Sequence, residues 1–266
     1  MKTVCSDQAM RHSPVASWAG VVILVLAVCL TGCGPYNPAP APVGCVGATD
    51  ATQPIGQYMP PTGARLALCD TLISKNDPDP HSDPYNWDYN APGDNPDGTC
   101  QQSAQGYDVV VPASAPDTGL NCFAEGPTPF TNFAFSINMQ VVKGSSSEKY
   151  DAGIAFRCPQ TPDTCYEFTV DGSGNYSLYA YVNGNPVNTS AIPATDHTPL
   201  FITKVGSVNQ LAVEAQNHTI SLYINGHFLT SVTDSTSASG RIGVTEDSAK
   251  TGTVEVLFSD AKVWSL

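Results

Sequence analysis

FAFSINMQV, residues 133–141, places Phe133, Phe135, Ile137, Met139 and Val141 at every second position, with Ala134, Ser136, Asn138 and Gln140 between them. A period of two is the mark of a strand with one buried face. Ile154 and Phe156 repeat it, as do Tyr166, Phe168 and Val170 further on. So do Leu211, Val213 and Ala215, then Ile220, Leu222 and Ile224, then Ile242 and Val244, and last Val254, Val256 and Phe258. Turn pairs separate the runs: Asp171-Gly172, Asn183-Gly184, Asn217-His218 and Asn225-Gly226. Asn-Gly and Asp-Gly supply the positive φ angles that tight hairpins need. No helical period intervenes, so the runs predict an all-β, antiparallel sandwich from about Arg65 to the end, with no internal boundary.

Composition agrees. In 266 residues, 41% are hydrophobic and 13% charged, with 22 Gly and 22 Pro, which suits short strands and turns. The formal charge of −13 excludes functions that need a basic patch, nucleic acid binding among them.

The ordered pieces FAFSINMQVV, YDAGIAFRC, YEFTVDGSGNYSLYAYVNG, NQLAVEAQNHTISLYINGHFLTSVTD, SGRIGVTED and VEVLFSDAKVWSL resemble the concanavalin A-like lectin/glucanase superfamily. The branch nearest in pattern is that of 3-keto-disaccharide hydrolase-like domains. The resemblance implies a jelly roll over residues 65–266. For activity it implies a lectin, a hydrolase or an inert adhesion module alike.

Ahead of the strands the chain reads as processing and tether. Lys2, Arg11 and His12 precede the apolar run VVILVLAVCL, Val21 to Leu30. That run is too short for a bilayer core of roughly 30 Å and fits a secretion signal. Leu30, Thr31, Gly32 and Cys33 resemble the lipobox of bacterial lipoproteins, which implies a signal peptide over 1–32 and lipid attachment at Cys33. Two or more acyl chains give stable anchoring. The expected location is therefore extracytoplasmic, on the bacterial cell membrane. Residues 33–64 are Pro-rich and read as a spacer with polyproline character.

Three cysteines fall in the leader and at the lipidation site, leaving Cys45, Cys69, Cys100, Cys122, Cys158 and Cys165. An even set in an exported chain predicts three disulfides. Six cysteines allow 15 pairings, and neighbours in sequence suggest Cys45–Cys69, Cys100–Cys122 and Cys158–Cys165. No spacing of Cys and His suits zinc.

Chemistry is harder to place. The laminarinase-type relatives carry E-x-D-x-x-E or E-x-D-x-E on one strand, and here no glutamate has an aspartate two residues later. Glu246 and Asp247 are adjacent and so face opposite sides of a strand. No G-x-S-x-G is present, and His81, His197, His218 and His227 fall in loops or at hairpin edges. Asp77, Asp79, Asp83, Asp94 and Asp97 share a segment rich in Pro, Asn and Gly, which reads either as a solvated loop or as a set of calcium ligands without EF-hand spacing. No other cofactor is indicated.

Parity along consecutive strands would put Arg157, Glu167, Tyr179 and Tyr181 on one outward face, with Trp87 either a further candidate or a plug of the sandwich edge. Flat aromatics beside hydrogen-bonding charges suit a sugar, though the same residues also read as an ion pair among strand formers. One conflict stands: Cys158 opposite Cys165 would set Phe156 opposite Glu167, which a bulge or an out-of-register bridge must resolve. The leading expectation is a non-catalytic module that recognises glycan or another envelope ligand. The alternatives are glycoside processing and a structural envelope role.

Overall fold

The computed structural model describes residues 56–73, 85, 87–90, 93–115, 118–124, 129–144, 150–161, 163–187, 196–248 and 252–266. Cys33, Cys45, Asp77, Asp79, Asp83 and His81 lie outside the described residues. Fifteen strands form among those described. They are β1 (Arg65–Asp70), β2 (Thr99–Gln102), β3 (Tyr107–Val111), β4 (Thr118–Ala124), β5 (Phe133–Lys143), β6 (Tyr150–Cys158), β7 (Thr164–Asp171) and β8 (Asn175–Val182). Then come β9 (Asn185–Val187), β10 (Asp196–His197), β11 (Val208–Gln216), β12 (Thr219–Ile224), β13 (His227–Thr233), β14 (Arg241–Ser248) and β15 (Val254–Ser265). No helix occurs among the described residues.

Two antiparallel sheets make the sandwich. One has eight strands in the order β13-β12-β11-β5-β15-β3-β2, with β1 also on β15. The other has seven, β10-β8-β7-β6-β14-β4, with β9 on β8. Phe133, Phe135, Ile137 and Met139 from the first sheet share one core with Ile154, Phe156, Phe168, Ile242 and Val244 from the second. The period-two pattern is thus the inner faces of both layers. Asn183 (φ 52°) with Gly184 (φ 70°), and Asn225 (φ 49°) with Gly226 (φ 74°), adopt the left-handed pairs that two-residue hairpins require.

Cys100 on β2 and Cys122 on β4 are bonded, Cα–Cα 6.2 Å, and both are fully buried in the shared core. That bond ties an edge strand of one sheet to an edge strand of the other. Cys158 and Cys165 are bonded, Cα–Cα 4.4 Å, across the β6–β7 pair. Cys69 is also disulfide-bonded; its expected partner Cys45 is outside the described residues.

The spacer expected through residue 64 is shorter than its composition suggests. Tyr58 is buried against the outer face of the eight-stranded sheet, with Ala134, Ala212 and Trp264. Its hydroxyl donates to Glu214 Oε1 at 2.6 Å, and its backbone N–H donates to the Gln210 side chain. Aromatic contact with Tyr223 (5.0 Å between centroids) and Trp264 (6.0 Å) completes the dock. A Pro-rich segment carries no periodic signal, so one anchoring tyrosine is invisible in its pattern.

Candidate functional site

The outer face of the seven-stranded sheet is built from alternate positions whose neighbours are core. Tyr166, Phe168 and Val170 point inward, so Cys165, Glu167, Thr169 and Asp171 of β7 share the outer side. Register carries that face sideways. Tyr179 (β8) pairs with Glu167, Glu167 with Ala155 (β6), Ala155 with Gly243 (β14), and Gly243 with Phe123 (β4). The next row reads Ser177, Thr169, Gly153, Thr245 and Asn121. A third sets Asp171, Asp151, Asp247 and Gly119 abreast.

Small residues let this face curve and let side chains lie down on it. Asn121 on β4 donates through Nδ2 to Glu167 Oε1 at 2.9 Å, although β14 and β6 run between them. Between them in the two rows lie Ala155, Gly243, Gly153 and Thr245, none larger than threonine. A Cβ at Gly243 would sit 2.8 Å from Phe123 Cδ1 and 2.5 Å from the Cys122 carbonyl oxygen, so Phe123 uses the room the glycine leaves. At Gly119 a Cβ would come within 2.0 Å of Asp247 Oδ1. At one end Arg241 stacks over the Phe123 ring, 4.1 Å from its centroid. The Cys158–Cys165 bridge packs beside it with Ala155 and Phe123.

Electrostatics mark the face as unusual. Burial pushes Glu167 up to about 7, with Asp247 and Asp163 adding to the rise and the Asn121 and Tyr181 hydrogen bonds opposing it. Burial, then Asp171 and Asp247, pushes Asp151 up to about 6. Asp247 is raised by burial as well. Tyr179 and Tyr181 are held above the usual phenol range, by burial first and by these carboxylates second. Their rings lie 6.2 Å apart on the same side of β8. Among the described residues no cation neutralises these acids, and acids kept together in this way are typical of functional sites.

Of the residues expected on one face, Glu167, Tyr179 and Tyr181 come together and Arg157 does not. Arg157 is the extra residue of a bulge: Arg241 pairs with Cys158 and Ile242 with Phe156, skipping it, and its φ is 51°. The bulge settles the register conflict by restoring Phe156 opposite Tyr166 while turning Cys158 to the outer side. The Arg157 side chain is fully buried. Its Nη2 and Nε donate to the Thr131 carbonyl at 2.7 and 3.2 Å, and Nη1 to the Ser237 carbonyl at 3.4 Å. It therefore secures the loop before β14 and forms no pair with Glu167.

Trp87 takes the second of its two expected roles, the edge plug, and drops out as a ligand residue. It is 2% exposed, bridges Ala124, packs on Tyr107 (5.3 Å) and donates Nε1–H to Asp70 Oδ2 at 3.2 Å. An indole enclosed this way fills the sandwich edge and offers no stacking surface. Of the calcium candidates only Asp94 and Asp97 are described, both exposed. Among the described residues no group of three or more His, Cys, Asp or Glu side chains could hold a metal ion. His197, His218 and His227 are exposed.

Sequence reasoning passed over Asp151, Asn121, Thr169 and Phe123, and weighed Asp247 only as the neighbour of Glu246. The available signal was the outer parity of β6 and β14, Asp151-Gly153-Ala155 and Gly243-Thr245-Asp247, where small and acidic residues alternate with core positions.

The sequence model of a family described as the 3-keto-alpha-glucoside-1,2-lyase-like domain matches residues 83–264. Among solved structures the chain is similar to the carbohydrate-binding module CBM66 from Bacillus subtilis. The TM-score is 0.52 at 16% identity, covering 69% of this chain and 98% of that one. It is similar also to a GlcNAcα1-4Gal-releasing endo-β-galactosidase from Clostridium perfringens, TM-score 0.54 at 12% identity over 80% of this chain and 64% of that one. A Bacillus subtilis protein of unknown function with a galectin-like fold matches at TM-score 0.51 and 11% identity, over 75% and 95%. At such identities the likeness is one of fold. None of the curated proteins matches the chain.

Proposed function

The chain belongs to the family of 3-keto-alpha-glucoside-1,2-lyase-like domains, and from that premise we propose that it binds a carbohydrate across the outer face of the seven-stranded sheet. One observation carries the reading: the Glu167–Asn121 bridge spans a floor of Gly243, Gly153, Ala155 and Thr245, flanked by Tyr179 and Tyr181. A sugar presents apolar ring faces and hydroxyl edges. Two tyrosine rings suit the faces, while a carboxylate and an amide suit the edges. The carbohydrate-binding module and the endo-β-galactosidase among the similar folds support the choice of ligand class. The test is a polysaccharide array probed with the full-length protein and with Tyr179→Ala. Loss of signal with an unchanged melting temperature is expected, and an unaltered profile removes this face.

Presentation outside the cytoplasm belongs to the same proposal. Disulfides persist in oxidising compartments, and the lipobox at Cys33 would tether the sandwich to the cell membrane. Cys33→Ala should move the protein from the membrane fraction to the soluble one; continued sedimentation with membranes refutes the anchor.

A second reading, turnover, is favoured by Asp151 and Asp247, which stand directly opposite each other with both carboxyls raised. A 1,2-elimination on a 3-keto-glycoside needs a base to take the proton on C2, which the C3 carbonyl acidifies. It also needs an acid to protonate the oxygen leaving C1 as the C1=C2 bond forms. Two neighbouring carboxyls in different protonation states supply both roles. Incubation with a 3-keto-disaccharide, followed by enone absorbance and released sugar, decides between binding and turnover.

A further inference from the structure

We propose that the same face contains a subsite for a protonated amine, bounded by Asp151, Asp171 and Asp247, so that its carbohydrate carries a free amino group. The inference rests on the glycan-binding reading and narrows its ligand class. Asp151 pairs directly with Asp171 on one side and Asp247 on the other. Opposed positions in adjacent antiparallel strands are roughly 4.5–5.5 Å apart at Cα. Like charges so placed repel, and nothing cationic among the described residues relieves them. The Asp171 carboxylate accepts from Ser173 N–H, Asn175 N–H and Asn175 Nδ2 in its own turn.

A second observation is independent of charge. Thr169 is 1% exposed, and its Oγ1 makes no hydrogen bond. It lies on this outer face, one row from Asp151, opposite Gly153, which puts no side chain between them. A buried hydroxyl without a partner is costly, and a ligand donor or acceptor over Gly153 would satisfy it. An ammonium has three donors to distribute among such acceptors, whereas Ca²⁺ demands six to eight oxygens.

Among the described residues anionic sugars find no counter-charge on this face. Arg157 is held by backbone carbonyls and Arg241 lies over Phe123 at the far end. Arg65, Lys143 and Lys262 sit on strands of the other sheet, and Lys204 lies in the segment preceding β11.

Calorimetry on the full-length protein in detergent at pH 7 and low salt tests this with three β1-4 tetramers, of glucose, N-acetylglucosamine and glucosamine. The glucosamine tetramer is expected to bind at least tenfold more tightly than the other two. That ratio should fall several-fold in Asp151→Asn and in Asp247→Asn, while Asp97→Asn, an exposed acid elsewhere, keeps it. Should one variant fail to fold, the other still reads the ratio. Equal binding of all three overturns the subsite and leaves glycan recognition standing. No binding by any of the three, with other array glycans still bound at Tyr179, overturns it too. A preference that Asp97→Asn also lowers reduces it to attraction by net charge, and Ca²⁺ displacing the glucosamine tetramer at equimolar level assigns the acids to a metal instead.

Discussion

Glu246 and Asp247 are consecutive residues of β14 in opposite surroundings: the Glu246 carboxyl is fully buried with neither oxygen hydrogen-bonded, while Asp247 Oδ1 lies on the outer face over Gly119. Burial, and then the charge of Asp247, pushes Glu246 up to about 9, and the Val111 backbone opposes this without meeting hydrogen-bond geometry. A carboxyl whose folded value exceeds its unfolded one holds more protons in the folded state. Its stabilising contribution is complete below about 4.5 and is lost as pH rises toward 9. The slope approaches about 1.4 kcal/mol per pH unit for one group. Denaturant unfolding with disulfides intact should therefore show stability falling from pH 5 to pH 9. Glu246→Gln should remove the largest single share of that fall, leaving the part due to Glu167, Asp151 and Asp247, and identical pH profiles for the two proteins would refute the assignment.

Gly153 predicts a second effect. A Cβ there would lie 2.0 Å from the Phe168 carbonyl oxygen and 2.9 Å from Thr169 Cα, both backbone atoms that cannot rotate away. Gly153→Ala should force β6 from β7 and cost at least ~2 kcal/mol in the unfolding midpoint, the scale of an overpacked interior. A wild-type midpoint would show that the two strands have slack.

Much of this architecture was legible in residues taken two at a time. The inner faces of β5, β7, β11 and β12 follow from alternation, and the hairpins from Asn183-Gly184 and Asn225-Gly226. Pairing Cys158 with Cys165 needed only their closeness in sequence. Legibility failed where one residue departs from the strand path or where a contact is distant. Arg157 has no glycine to advertise its positive φ, so parity continued through it and assigned the wrong face. For Trp87 the sequence left two roles open, and only the fold, by bringing Asp70, Tyr107 and Ala124 around it, chooses the edge plug. Asp151 and Asp247 gain meaning from a register across three strands, which no single run of sequence contains.

Tyr58 gives a prediction that separates the two faces. Tyr58→Phe removes the hydrogen bond to Glu214 and should cost about 1 kcal/mol. Tyr58→Ala also uncovers Trp264 and Ala212 and should cost about 3 kcal/mol. Neither should change glycan affinity, because the strap lies on the eight-stranded sheet and the proposed site on the other. A loss of binding by Tyr58→Phe at unchanged stability would place the ligand on the wrong sheet.

Glu167 makes recognition itself pH-dependent. With its carboxyl pushed up to about 7, the group is largely protonated at pH 6 and largely ionised at pH 8. An ionised carboxylate accepts sugar hydroxyls in charge-assisted bonds, stronger than neutral ones by roughly 1 kcal/mol. Affinity for a neutral glycan should therefore rise roughly fivefold from pH 6 to pH 8. Glu167→Gln keeps the Asn121 side of the bridge within reach but cannot ionise, so its affinity should stay near the pH 6 level at both values. Calorimetric titration at the two pH values decides it: an affinity that falls with pH, or a glutamine variant that keeps the wild-type rise, would remove Glu167 from the contact with the sugar.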